Sequence, residues 1–503
     1  MRYEAEFIII EQNIESEAKM SVLQGLKPEK VFHYFEEISK IPRQSGNTGK
    51  ISDYLVQFAK DRELEVLQDP LGNVVIRKPG TTGYEDSPWV MLQGHMDMIC
   101  EKEDDCRIDF QKEGIPLEVR GNIITARGTT LGGDNGIALA YGLAILDADD
   151  IPHPPIEAVF TVDEEVGLVG AAALDKSLLK SSYMMNLDSE EEGHLLVSCA
   201  GGATVDVHLP RSLAQLQGQE AELVISGLIG GHSGMDVDKG RINANVQLGR
   251  FLRELKKQFD FRLLSVNGGT KDNVIPKKAA ARLAFLPGTN LKAVAEAVDK
   301  IGQTYRKENL HTDPDVTVTL REIGPAKDLL VMDKNTTDKV ITLLSCLPAG
   351  IQRMSFEIPG LVQTSLNLGV LTTEEKEIII SYSVRSSVGS EKDDLISRIE
   401  CLADAMGAYV TISGAYPAWE YKEKSPLRDL MIQVYKEMYG CEPLVEAMHA
   451  GVECGFFEGA MPELDAISFG PDLRDVHTPA ETMDIDSVGR TWDYLLEVLK
   501  RIK

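Results

Sequence analysis

Short apolar runs that stop at ionisable residues recur along this chain and constrain its fold more than any other feature. In "VMLQGHMDMIC" the run at residues 90–92 gives way to Gly94, His95 and Asp97. The pattern returns in "GTTLGGDNGIALA" (Asp134), "TVDEEVGLVGA" (Glu164, Glu165), "NLDSEEEG" (Asp188) and "FGPDLRDVHTPAE" (His477). Residues two apart on an extended chain point to the same side, so His95 and Asp97 are delivered into one small space. Singly, each cluster has an ordinary explanation. Asp134 reads as a helix cap, Glu164 and Glu165 as a solvated turn, and His477 as a loop residue before Pro479.

Together they read differently. Strand-like runs at 73–76, 90–92, 122–125, 158–162, 183–187 and 466–469 alternate with helical spacing at 28–41, 48–64, 135–146, 427–439 and 487–502. That alternation predicts an α/β layer with polar strand ends. Strand ends in such a sheet converge on one crevice, where ligands bind. Five carboxylates (Asp97, Asp134, Glu164, Glu165, Asp188) and two imidazoles (His95, His477) cannot share a crevice without a cation to offset their repulsion. Histidines with carboxylates suit zinc, manganese or cobalt, and the number of donors fits two ions sharing one carboxylate.

Between residues 200 and 415 the texture changes and looks duplicated. The pattern α-β-β-α-β occurs at 241–320, after a strand at 222–226, and again at 337–413. Such split units give a sheet with helices on one face. The predicted organisation is one α/β domain (20–199 and 416–503) interrupted by a duplicated α+β insert (200–415). Residues 1–19, with an apolar patch at 7–10 among glutamates, read as an appended, poorly ordered arm rather than a signal peptide.

Composition narrows the partners. A chain of 503 residues exceeds one ordinary core. A net charge of −27 argues against nucleic acid and anionic membranes, and leaves small substrates. Seven cysteines without paired spacing point to reduced thiols and a cytoplasmic setting.

The motifs "GHMDMIC", "GTTLGGDNGIA", "DEEVGLVGA" and "FGPDLRDVHTPAE" resemble those of the aminoacyl-histidine dipeptidases (Xaa-His dipeptidase, peptidase D), a family of co-catalytic zinc exopeptidases. The likeness runs from about residue 22 to the C-terminus. It implies a zinc-exopeptidase-like catalytic domain with a lid, and hydrolysis of dipeptides that carry a free carboxylate. Residue by residue, it implies that His95, Asp134 and Asp188 hold one divalent ion, with Asp134 bridging to a second held by Glu165 and His477. The ions would be zinc, with cobalt or manganese as alternatives. Glu164 becomes the general base, and Asp97 orients His95. In the lid, His232 of "GLIGGHSGMDVDKGRINAN" would stabilise an oxyanion, and Asn273 and Arg385 would bind the substrate carboxylate or main chain. The resemblance admits a homodimer, with His232 acting across it or within one duplicated chain. An amidohydrolase on N-acyl amino acids, or a tripeptidase, would share every metal residue. An inactive metal-binding scaffold would have no need of Glu164.

Overall fold

The computed structural model describes residues 21–503, so the expected arm at 1–19 lies outside the described residues. The chain divides into two compact units. Among the described residues, one comprises 21–197, Lys422–Glu446 and Val452–Lys503, and the other Ser198–Tyr421 and Ala447–Gly451. The sequence expectation left residues 447–451 with the first unit. They belong with the second, where the Ala200 N–H donates to the carbonyls of Met448 and Ala450, each at 3.1 Å.

The sheet of the first unit has four parallel strands at its centre, in the order Ile156–Thr161, Val90–His95, Tyr183–Asn186, Asp465–Ser468. Strands covered on both faces read as continuous apolar runs. Accordingly Val90–His95 and Ile156–Thr161 are buried at every position. The strand Val74–Lys78 extends this sheet antiparallel to Ile156–Thr161.

The helix Gly133–Leu146 is apolar all round, with residues 135–146 all buried. Gly94 lets it lie close on the strand Val90–His95, since a Cβ there would collide with Asn135 Oδ1 and the Ala138 methyl. Asn135 stitches the contact. Its Oδ1 accepts the His95 N–H at 3.1 Å and its Nδ2 donates to the Leu187 carbonyl at 2.7 Å. A small antiparallel sheet, not anticipated, pairs Leu117–Arg120, Ile123–Ala126, Thr482–Asp484 and Leu473–Arg474. It anchors the segment that carries His477 on both sides.

The second unit is built on one antiparallel sheet made of two copies of a β-α-β-β-α-β fold. From one edge inward run Thr317–Met332, Leu213–Ser226, Ala279–Phe285 and Phe261–Gly268. From the other run Tyr409–Tyr416, Gly201–Pro210, Glu377–Ser386 and Val362–Thr373. In each half the last strand lies outermost with the first beside it, and the two innermost strands meet at Gly268 and Leu371. The opening strand of the second copy, Gly201–Pro210, precedes the whole first copy in the chain. Sequence reading found the two α-β-β-α-β runs but not that strand, although Val205, Val207 and Leu209 alternate and are buried. The helices are Ala244–Lys256, Leu291–Glu308, Lys334–Cys346 and Gly389–Met406, and their buried faces join a common core around Phe251, Leu344, Tyr382 and Ile399.

Candidate metal centre

All four central strands of the first unit run the same way, so their C-terminal ends open on one edge. Val90–His95 ends in His95, with Asp97 just beyond. Ile156–Thr161 leads to Glu164 and Glu165, Tyr183–Asn186 to Asp188, and Asp465–Ser468 toward His477. Asp134 enters from the start of the helix that packs on Val90–His95.

Three donor groups result among the described residues, each with atoms within 4.8 Å of one another: His95, Asp134 and Asp188; Asp134, Glu165 and His477; and His95, Glu164 and Glu165. The first two are the triads that the sequence reading expected. Asp134 belongs to both. Its Oδ1 lies 3.0 Å from His95 Nε2 and its Oδ2 3.1 Å from His477 Nε2. Asp188 Oδ1 completes the first triad at 3.4 Å from His95 Nε2, and Glu165 Oε1 the second at 2.9 Å from His477 Nε2. Glu164 stands farther off, its Oε2 4.0 Å from His95 Nε2.

Asp97 is fully buried and does more than the expected orienting of His95. His95 Nδ1 is 3.1 Å from the Asp97 carbonyl oxygen and 3.4 Å from its carboxylate. The carboxylate also accepts the N–H groups of Glu164 (3.0 Å) and Glu165 (3.3 Å) and the Ser45 hydroxyl (2.8 Å). One side chain therefore sets both a ligand and the turn that presents the two glutamates. Asp163 and His477 hold left-handed backbone, φ 53° and 63°, a conformation non-glycine residues adopt only under the constraint of their surroundings.

The protonation energetics suit a cation. Burial, with Asp188, Glu453 and Asp134 nearby, drives the Glu164 carboxyl well above its usual range despite His95. Burial likewise pushes Asp188 up to about 6. Hydrogen bonds to Asp134 and Glu165 raise His477 to about 11. Glu164, Asp188 and His477 thus hold protons where a divalent ion could take their place, while the two imidazoles keep Asp134 below its usual range, and imidazoles among carboxylates suit borderline metals.

Several residues that sequence reading missed support the triads. The buried Glu481, four positions after His477, accepts the N–H groups of Leu131, Gly132, Gly133 and Asp134 at 2.7, 3.1, 2.8 and 3.4 Å. Buried Arg43 donates to the carbonyls of Met96 and Asp97, each at 3.3 Å, and to that of Gly132. Glu453, fully buried, accepts the Thr161 hydroxyl at 2.7 Å and the Gln93 amide. Glu481 stood inside a quoted motif; neither Arg43 nor Glu453 carried a local signal.

The second unit gathers its own polar cluster. His232 pairs with Val274 in a two-residue ladder, which brings Asn273 alongside. Its Nδ1 accepts the N–H groups of Gly234 (3.2 Å) and Met235 (3.1 Å), so the proton sits on Nε2. Burial and Arg385 lower its pKa and keep the ring neutral. Arg385 donates to the Tyr416 hydroxyl at 2.9 Å and pairs in register with Ser365, whose hydroxyl is 2.7 Å from His449 Nε2. Arg385 Nε and His449 Nδ1 are buried without a partner. His449, from the short segment 447–451, was also missed.

The fold and donor set define an α/β metal-binding protein with a duplicated second unit. Residues 91–501 match the description Peptidase family M20/M25/M40, and the chain belongs to that family. It is 36% identical over 485 residues to the cytosol non-specific dipeptidase of Escherichia coli (strain K12), covering 96% of this chain and 99% of that protein. The crystal structure of aminoacylhistidine dipeptidase from Vibrio alginolyticus matches with a TM-score of 0.90 and 35% identity, over 97% of this chain and 99% of that one. Aminopeptidase PepT from Bacillus cereus, at a TM-score of 0.54 and 15% identity over 95% of this chain and 99% of that one, shares the fold. The family agrees with the resemblance carried by the motifs.

Proposed function

We propose that this chain hydrolyses dipeptides with a free C-terminal carboxylate, of the Xaa-His type with broad specificity, using two divalent ions. Zinc is the first choice, with cobalt or manganese as alternatives. The observation that carries the reading is Asp134, whose two oxygens each face one imidazole and so suit a carboxylate shared by two ions. The names of the Escherichia coli and Vibrio alginolyticus relatives, both dipeptidases, support it. So does the supported but unshared Glu164, which an inactive scaffold would not require.

Two divalent ions at these triads would polarise a carbonyl and acidify a water. Glu164 is placed to take the proton from the attacking water and pass it to the nitrogen that leaves as the C–N bond breaks. Asp97 keeps His95 and the Glu164 backbone in register during the transfer. His232, with its proton on Nε2, donates to the tetrahedral oxyanion. Arg385 and Asn273, joined by His449, receive the substrate carboxylate; the unpartnered nitrogens of Arg385 and His449 suit an anion. The reading places the enzyme in the cytoplasm, supported by seven cysteines that form no disulfide among the described residues and by a relative named from the cytosol. Among the described residues no helix is long and apolar enough to cross a membrane.

Turnover of Ala-His, Ala-His-amide, Ala-Ala-His and N-acetyl-histidine tests the assignment. Ala-His should be cleaved best, and blocking its carboxylate should cost on the order of a hundredfold or more, because the buried Arg385 guanidinium loses its counter-charge. Preference for N-acetyl-histidine would make the chain an amidohydrolase, and preference for Ala-Ala-His a tripeptidase.

A further inference from the structure

We infer that Glu481 is a positioning residue for the triad of Asp134, Glu165 and His477, and that Arg43 braces the opposite triad. The inference rests on the two-ion reading above. A carboxylate shared by two ions must present both oxygens at once, so the backbone that carries Asp134 has to be fixed relative to two imidazoles. The loop at 131–134 has little rigidity of its own. It contains Gly132, at φ +69°, and Gly133. All four of its N–H groups nevertheless converge on one carboxylate, two on Glu481 Oε2 and two on Oε1.

Glu481 is 2% exposed and is itself held, by its N–H to the Thr478 carbonyl (3.1 Å) and its carbonyl to the Thr125 hydroxyl (2.8 Å). It therefore ties the segment that carries His477 to the loop that carries Asp134. Arg43 performs the matching task on the other side. Its guanidinium joins the Gly132 carbonyl to the carbonyls of Met96 and Asp97, next to His95. The braces are unequal. His95 is buried and anchored through its own N–H, whereas the His477 side chain is 46% exposed on a loop in left-handed backbone. Removing the Glu481 charge should open the His477 triad and leave the His95 triad intact.

The test is cobalt(II) added to metal-free protein, read by bound metal per chain and by electron paramagnetic resonance. Wild type should take two ions and give the spectrum of a coupled pair. Glu481→Gln turns an amide nitrogen toward backbone N–H groups. It should keep one ion at wild-type affinity, bind the other about tenfold or more weakly, and show isolated cobalt. Excess cobalt should restore its dipeptide turnover, which a merely structural defect would not allow. His477→Ala should bind one ion, and adding Glu481→Gln to it should change nothing further. If Glu481→Gln does not fold, Glu481→Asp keeps the charge, withdraws it by one methylene, and should weaken the same ion selectively. Two ions at wild-type affinity in the folded variant, or equal weakening of both, would overturn the role of Glu481 alone. One ion in wild type would overturn the two-ion reading and this inference with it.

Discussion

Glu164 and Glu165 are neighbours in the chain, yet Glu165 lies 2.9 Å from His477 Nε2, while Glu164 stands 4.0 Å from His95 Nε2. The backbone between them is pinned by the Asp97 carboxylate, so their side chains diverge from a fixed turn. In the proposed mechanism, a base next to a ligand can therefore move a proton without surrendering metal. Glu164→Ala should keep its bound metal and lose turnover by about 10²–10⁴-fold, the usual worth of general acid–base transfer. Asp134→Ala should lose metal and activity together; elemental analysis beside the rate assay separates the two. His449 supplies a pH dependence. Burial first, then the charge of Arg385 and, once acid protonates it, that of His232, lower it to about 4. The unfolded chain binds that proton more readily, so the stability His449 contributes is complete above pH 6.5 and is lost as pH falls toward 4. The shift corresponds to about 3 kcal/mol. Thermal unfolding of wild type and His449→Gln between pH 7.5 and 4.5 checks this: the wild type should lose more stability on acidification.

The contact between the strand Val90–His95 and the helix Gly133–Leu146 decides whether two ligands meet. Gly94 and Asn135 sit at its closest point, and Asn135 reaches both the His95 N–H and the Leu187 carbonyl, one residue before Asp188. The same element pair thus spaces His95, Asp134 and Asp188. Gly94→Ala should drive the helix off the strand at an overpacking cost of about 1–3 kcal/mol. Metal affinity should fall with it, because Asn135 is displaced from both partners. Urea unfolding and cobalt titration of this variant read the two effects; unchanged values in both would show that the helix does not depend on that glycine.

Each unit of the molecule has its own hydrophobic core, and the donor triads belong wholly to the first. Metal should stabilise that unit and not the other. Calorimetry of metal-free protein should resolve two transitions. Cobalt at a hundredfold excess over its dissociation constants should raise one by about 2.7 kcal/mol for each ion bound, about 5 kcal/mol for two, and leave the second where it was. A single transition that shifts as a whole would mean the two cores unfold together.

Much of this was legible in the sequence because it is local. Apolar runs, helical spacing and the identities of His95, Asp134, Glu165, Asp188 and His477 are written in a few consecutive residues each. A polar residue at the end of a buried strand has few places to go. Pairing is a different matter, since a strand's pattern says which face is buried and nothing about its neighbour. Hence the second copy's opening strand, Gly201–Pro210, could be placed only once the sheet had closed around it. His449 joins the second unit from a short stray segment for the same reason. The grip of Glu481 on residues 131–134 was invisible for another reason: its partners are backbone N–H groups, which every non-proline residue carries. The sequence alone determined which groups could bind metal; tertiary structure decided which side chains hold those groups still, because that support comes from chain segments 40 to 350 residues apart.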